Sequence, residues 1–175
     1  AGWPQFVGIP GEDLNGVYSA NEFLTRINLM LAYLPEADTP VFLGEHVVVV
    51  GGGNTAMDAA RTARRMGSEV TVVYRRTREE LPARLVEVVH AEEEGIKFQY
   101  LSSPVAILGR EDGWVKAVEC VKMSMGEPDG KGRHKLHTIP GTNYRQSADS
   151  VIIAVGQGPN PIIAQTTPGL EVGSG

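Results

Sequence analysis

The chain has 175 residues, 42% of them apolar, and a formal net charge of −5. That length corresponds to one domain, or one domain with an appendage, and the apolar share suffices for an ordinary core. The acidic balance without a basic run argues against a nucleic-acid surface, and neither a signal peptide nor the roughly 20 apolar residues of a membrane span is present.

In chain order, residues 1–18 read as a connector with a turn at Ile9-Pro10-Gly11. Ser19-Ala20-Asn21-Glu22 has the spacing of a capping box, which predicts a helix over Ala20–Tyr33. Its apolar positions are Phe23, Leu24, Ile27, Met30, Leu31 and Leu34, and Pro35 ends it. Leu43–Val50 is the first central strand, closing on four valines. Gly51-Gly52-Gly53-Asn54-Thr55-Ala56 follows as G-x-G-x-x-A. Between a strand and a helix, that pattern is a dinucleotide fingerprint. One glycine takes a tight turn, another lets backbone amides approach a pyrophosphate, and a small third residue lets helix and strand close up. The next helix, Asn54–Met66, puts Ala56, Ala59, Ala60, Ala63 and Met66 on one face and Arg61, Arg64 and Arg65 on the other, with Gly67 as its stop.

A second strand, Glu69–Tyr74, ends in Arg75-Arg76. About 20 residues past the glycine turn, an NAD site places an acid on the ribose 2′-hydroxyl. Here two guanidiniums stand there instead, which suits the 2′-phosphate of NADPH by charge and by forked donation. A solvated strand end is the plain alternative for the same arginines. Pro82 then reads as a first helical residue of Ala83–Glu94, burying Leu85, Val88 and Val89 and showing Glu87, Glu92, Glu93 and Glu94 to water. Gly95 ends that helix, and Lys97–Leu101 is a third strand. From Pro104 the rhythm changes. Val105–Leu108 and Trp114–Met125 form a hairpin about Glu111-Asp112-Gly113, and a polar turn at Gly126–Arg133 leads to a strand near Lys135–Ile139. The last apolar strand, Ser150–Val155, runs into Gly156-Gln157-Gly158. The fold class expected is therefore α/β: a Rossmann-like three-layer NAD(P)-binding domain with a parallel sheet and an inserted antiparallel β-meander.

Other chemistry finds little support. Cys120, the lone cysteine, lies in an alternating strand and reads as a half-buried structural thiol; a reducing cytoplasm is the expected compartment. His134 and His137 point to opposite faces of a strand, so no metal site is expected. Asp58, placed in the first helical turn, should face away from a phosphate. There is no Walker loop and no Tyr-x-x-x-Lys, and no residue stands out as a proton-transfer catalyst. A domain that binds a hydride donor and leaves the chemistry to another cofactor would look like this.

Four stretches together resemble one family. Gly51-Gly52-Gly53-Asn54-Thr55-Ala56-Met57-Asp58-Ala59-Ala60-Arg61 is similar to the NADPH motif of the glutamate synthase small (beta) subunit family, which includes flavin subunits of NADH-dependent ferredoxin–NADP oxidoreductases. Val72–Ala83 resembles its second signature, and Ile152–Asn160 its closing strand. Ile9–Ala20 is similar to the connector leaving the flavin domain of such proteins. By that resemblance, Gly51, Gly52 and Gly53 turn over the pyrophosphate, and Asn54, Thr55 and Ala56 offer the first helical amides. Arg75 and Arg76 hold the 2′-phosphate, and Gly156 and Gln157 meet the nicotinamide half. Thioredoxin reductases share the domain plan but carry a Cys-x-x-Cys pair that this chain lacks.

The resemblance implies a parent protein with FAD on a domain split around this one and with 4Fe-4S clusters elsewhere. Residues 19–160 would be its NADPH-binding domain, and 1–18 and 161–175 the connectors to the FAD domain. The ends, Ala1 without an initiator methionine and Gly173-Ser174-Gly175, fit a piece of a longer polypeptide. The implied partners are that FAD domain and a large glutamate synthase or ferredoxin-linked subunit, with no nucleic acid and no membrane. The expected activity is hydride delivery from NADPH to FAD and on to iron–sulfur centres, with the piece alone inactive. An NAD(P)H-sensing module without catalysis is the alternative, and a self-contained dehydrogenase a weaker third.

Overall fold

The computed structural model describes residues 2–128 and 134–170. Its centre is a five-stranded parallel sheet in the order β2-β10-β3-β4-β5. These strands are β2 (Val17–Ser19), β3 (His46–Val50), β4 (Glu69–Val73), β5 (Lys97–Gln99) and β10 (Ser150–Ile153). Because side chains alternate along a strand, Val47, Val49, Val70, Val72 and Ile152 face one core, while Val48, Val50, Val73, Val151 and Ile153 face another. Helices α1 (Ala20–Asn28), α2 (Asn54–Arg65) and α3 (Leu85–Glu93) cover the first face through Phe23, Met57, Ala60 and Val88. The second face is covered by an antiparallel meander: β6 (Ser102–Gly109), β7 (Val115–Pro128), β8 (His134–Thr138) and β9 (Tyr144–Ser147). Its contribution is Ile107, Val115, Val118 and Cys120. Four consecutive valines in β3 are thus explained by burial on both sides. The expected three-layer α/β fold with its meander is what forms.

A small antiparallel pair, β1 (Trp3–Pro4) with β11 (Gln157–Gly158), and a short helix α4 (Pro161–Thr166) complete the described elements. Among the described residues, no helix is long and apolar enough to cross a membrane.

Several boundaries move from their expected places, each for a tertiary reason. Ser19 Oγ does cap α1, accepting from the Glu22 amide at 3.2 Å, but the Glu22 carboxylate pairs with Arg26 instead of reaching back. The helix stops at Asn28 rather than Tyr33. Leu31 takes a left-handed φ of +51° and the Ala32 amide returns to the Arg26 carbonyl at 3.0 Å. That turn buries Ala32 beside Val41, whose amide it accepts, and the Arg26 guanidinium holds the carbonyls of Thr39 and Pro40. Leu29, Met30 and Leu31 are left exposed. Residues 17 and 18, expected in the connector, belong to the sheet's edge strand. Leu101, at φ +47°, ends β5 early, and β6 starts at Ser102, before the expected Val105. Residues 126–128 extend β7 where a turn was expected, and the remainder of that turn, 129–133, lies outside the described residues, as do 171–175. Strand β9, which had no clear pattern of its own, pairs with β7 at Ala117–Cys120.

Helix α3 differs most. Pro82 is not its first residue, because the Ala83 amide bonds the Gly52 carbonyl and the Arg84 amide bonds Asn54 Oδ1, at 3.1 and 2.9 Å. These bonds keep the backbone extended through Arg84, so the helix begins at Leu85, which is exposed rather than buried. Its glutamates are not merely solvated. Arg61 reaches Glu87 and Glu94, Arg65 also grips Glu94, and the Arg64 guanidinium donates to the Glu94 carbonyl. Gly67 (φ +102°) ends α2 as expected, with the Ser68 amide returning to Ala63, and α3 ends the same way through Gly95.

The Glu94 contact generates a stability prediction. Hydrogen bonding to Arg65, with Arg61 beside it, holds the Glu94 carboxyl below the usual carboxylate range. A depressed carboxylate stabilises the fold above that range and ceases to do so as pH falls through it. Glu94→Gln should lower thermal stability at neutral pH by about 1 kcal/mol. The gap from the parent chain should close on acidification, as read by melting curves at several pH values.

Candidate dinucleotide-binding cleft

Parallel strands deliver their following loops to one edge of the sheet, and in open α/β sheets ligands bind at that edge. Here the C-terminal ends of β2, β3, β4 and β10 open into one cleft of about 770 Å³. Ser19–Asn21 line it after β2, Gly51–Gly53 and Thr55 after β3, Tyr74–Arg76 after β4, and Ala154–Gln157 after β10. The N-terminal segment Pro4–Val7 and the start of β6 form its remaining walls.

The three glycines meet different constraints. At Gly51 the backbone is at φ +140°, and a Cβ would stand 2.3 Å from the Ala154 carbonyl oxygen. At Gly52 a Cβ would overlap the Tyr74 ring and Leu81, at 2.6 and 2.7 Å. Gly53 is unlike both: a Cβ there would meet nothing within 4 Å, and its backbone is extended (φ −86°, ψ 176°). It caps α2 without a side-chain hydrogen bond. The Asn54 and Thr55 amides therefore have no side-chain cap at the edge of an open space, where the helix dipole is positive.

The other expected residues divide. Thr55 is exposed at the cleft, whereas Ala56 is buried under α2 and its amide is already bonded to the Gly53 carbonyl at 3.0 Å. Asn54 uses its side-chain oxygen to tie the loop before α3. Arg75 is exposed on the cleft wall with no hydrogen bond or ion pair among the described residues. Arg76 is different: its side chain is 13% exposed and its Nη1 donates to Glu80 at 2.9 Å. Gly156 (φ +117°) accepts the Gln5 amide at 3.0 Å, which brings the segment from β1 alongside Gln157.

Asp58 lies on the second turn of α2, because the helix starts directly after Gly53; it is exposed and does not line the cleft. His134 Nδ1 is 3.6 Å from Glu80, and no cluster of three or more metal-ligating side chains occurs among the described residues. Cys120 is fully rather than half buried, and burial pushes its thiol up to about 11, so this chain presents no thiolate. Sequence reasoning missed Gln5, Phe6 and Asn21 as cleft residues. The capping spacing at Ser19 had marked the helix start, but not the edge strand β2 before it, and a strand-to-helix junction on this edge faces the cleft.

The site can thus bind an extended anion along a helix N-terminus and offer it the Arg75 guanidinium, which has no partner among the described residues. Among the described residues that line it there is no histidine, carboxylate or cysteine. This geometry can be set beside known proteins. The model of the family described as pyridine nucleotide-disulphide oxidoreductase matches residues 1–175. The glutamate synthase [NADPH] small chain of Halomonas elongata is 40% identical over 168 residues, covering 94% of this chain and 35% of that protein. The NADPH-Fe(3+) oxidoreductase subunit beta of Geobacter sulfurreducens is 43% identical, covering 76% of this chain and 20% of its own length. The NADP(+)-dependent formate dehydrogenase subunit beta of Moorella thermoacetica is 42% identical over 86% of this chain and 21% of that protein. The chain therefore spans about a third or less of these curated relatives. Among solved structures, a thioredoxin reductase of Lactococcus lactis shares the fold with a TM-score of 0.66 at 21% identity, over 96% of this chain and 46% of that one. The sequence and the fold agree: the chain belongs to the pyridine nucleotide-disulphide oxidoreductase family.

Proposed function

We propose that this chain is the NADPH-binding domain of a larger flavin-dependent oxidoreductase resembling the small chain of glutamate synthase. One observation carries the reading: the uncapped α2 N-terminus and Arg75 open onto one cleft, at the place where an NAD site would carry an acid. The names of three relatives, each citing NADPH or NADP(+), support the choice of coenzyme.

The residues present fit the ligand. The empty space beside Gly53 admits a diphosphate that a side chain would exclude, and the amides of Gly53, Asn54 and Thr55 are the donors for it. Arg75 grips the 2′-phosphate, with Arg76 beside it. Gly156 and Gln157 orient the nicotinamide half at the end of β10, and Ala56 serves by letting α2 pack close to β3. Bound NADPH supplies a hydride; the chain itself binds, orients and holds the coenzyme. Transfer to FAD and on to iron–sulfur centres belongs to the parent polypeptide and its partner subunits, because a single buried cysteine cannot hold a cluster. Residues 19–160, with edge strand β2, form the domain, the flanking segments lead toward an FAD domain, and the cytoplasm is its compartment.

Titration of the chain with both coenzymes should show NADPH binding ahead of NADH. Arg75→Ala should weaken NADPH by about tenfold or more and leave NADH little changed; equal affinities in the parent chain would overturn the assignment. Gly53→Val should still fold, since a Cβ there meets nothing within 4 Å, yet lose both coenzymes. A variant that still bound them would move the diphosphate elsewhere. The purified chain should be colourless and should not oxidise NADPH without an added acceptor. A yellow, self-sufficient preparation would contradict the reading.

A further inference from the structure

Two adjacent arginines at the end of β4 meet opposite fates. Arg75 is exposed on the cleft wall and has no hydrogen bond or ion pair among the described residues, while Arg78, further on, is bound through two nitrogens to Glu92. Arg76 keeps Nε and Nη2 without partners among the described residues, but Nη1 is bonded to Glu80 Oε1. Glu80 is held firmly. Its backbone carbonyl accepts the Tyr74 hydroxyl at 2.8 Å, its Oε1 lies 3.6 Å from His134 Nδ1, and its Oε2 is buried with no hydrogen-bond partner. A carboxylate with one satisfied oxygen thus stands one hydrogen bond behind a cationic wall of the cleft.

We propose that Glu80 is a specificity-determining residue: by partly cancelling the charge of Arg76, it weakens the grip on a 2′-phosphate and so moderates the preference for NADPH over NADH. This rests on the coenzyme reading above. A dianionic phosphate beside Arg76 feels both the guanidinium and the carboxylate behind it, and the repulsion falls with distance more slowly than contact forces do. NADH has no charge at that position and is indifferent to Glu80. Glutamine at position 80 retains an oxygen able to accept from Arg76, so orientation is kept while the negative charge goes. The moderation favours release of the oxidised coenzyme, which carries the same phosphate.

The test is calorimetric binding of NADPH, NADH, adenosine 2′,5′-bisphosphate and AMP to the parent chain and to Glu80→Gln, Arg76→Ala and the double variant. Glu80→Gln should tighten NADPH and the bisphosphate by about fivefold and leave NADH and AMP within about twofold. The double variant should bind NADPH more tightly than Arg76→Ala alone, because the carboxylate left bare in the single variant is removed. Glu80→Ala, which also removes the charge, answers the same question should the glutamine variant fail to fold. Unchanged or weaker NADPH binding, or an equal shift in both coenzymes, would overturn the proposal. The two readings fail separately. A parent chain without NADPH preference sinks the coenzyme assignment, whereas a preference erased by Arg75→Ala but untouched at Glu80 sinks only this one.

Discussion

The cleft depends on a backbone approach that leaves no room for a side chain. As β3 ends, the backbone at Gly51 passes so near the Ala154 carbonyl that a methyl group cannot intervene, and Gly52 lies against the Tyr74 ring in the same way. These two approaches bring the exits of β10, β3 and β4 together. They aim α2 at the gap between the exits, and every later feature of the site inherits that geometry. The Gly51 amide, bonded to the Val73 carbonyl at 3.1 Å, continues the sheet one residue beyond its strands and fixes the turn in register.

Charge is distributed with a comparable division of labour. Most arginines near α2 and α3 are engaged in the fold: Arg61, Arg64 and Arg65 bind α3 to α2, and Arg78 reaches across to Glu92. Only partial burial makes such pairs worth much, and Arg61, at 19% side-chain exposure, is better placed than Arg65 at 64%. Against that background the unpaired Arg75 on the cleft wall is conspicuous. It has no structural employment among the described residues, which is what a ligand-facing cation requires.

Most of the architecture was legible in the sequence because burial writes itself into composition. Four valines before three glycines admit little besides a two-sided strand and its turn. The alanine face of α2 and the terminating Gly67 were equally plain. What stayed hidden was decided by partners distant in sequence. Nothing near Pro82 shows that Gly52 and Asn54 will hold the next two amides and delay α3 to Leu85. Nothing near Leu31 shows that Val41 will draw Ala32 inward and end α1 early. Strand β9 owes its existence to β7. In the cleft, Arg75 and Arg76 look alike on paper, and only Glu80 folding back four residues separates an available guanidinium from an engaged one. The family was recognisable from motifs spread along the chain.

The tie between Asn54 and Arg84, with its neighbour between Gly52 and Ala83, joins the glycine turn to the segment that follows the arginines. Turn and segment are consequently tied into one hydrogen-bonded unit before any ligand is present. Little backbone entropy remains to be surrendered on capture, and the exposed Arg75 side chain is the part still free to adjust. A ligand taken up there would find its frame largely ready-made, a property suited to frequent exchange.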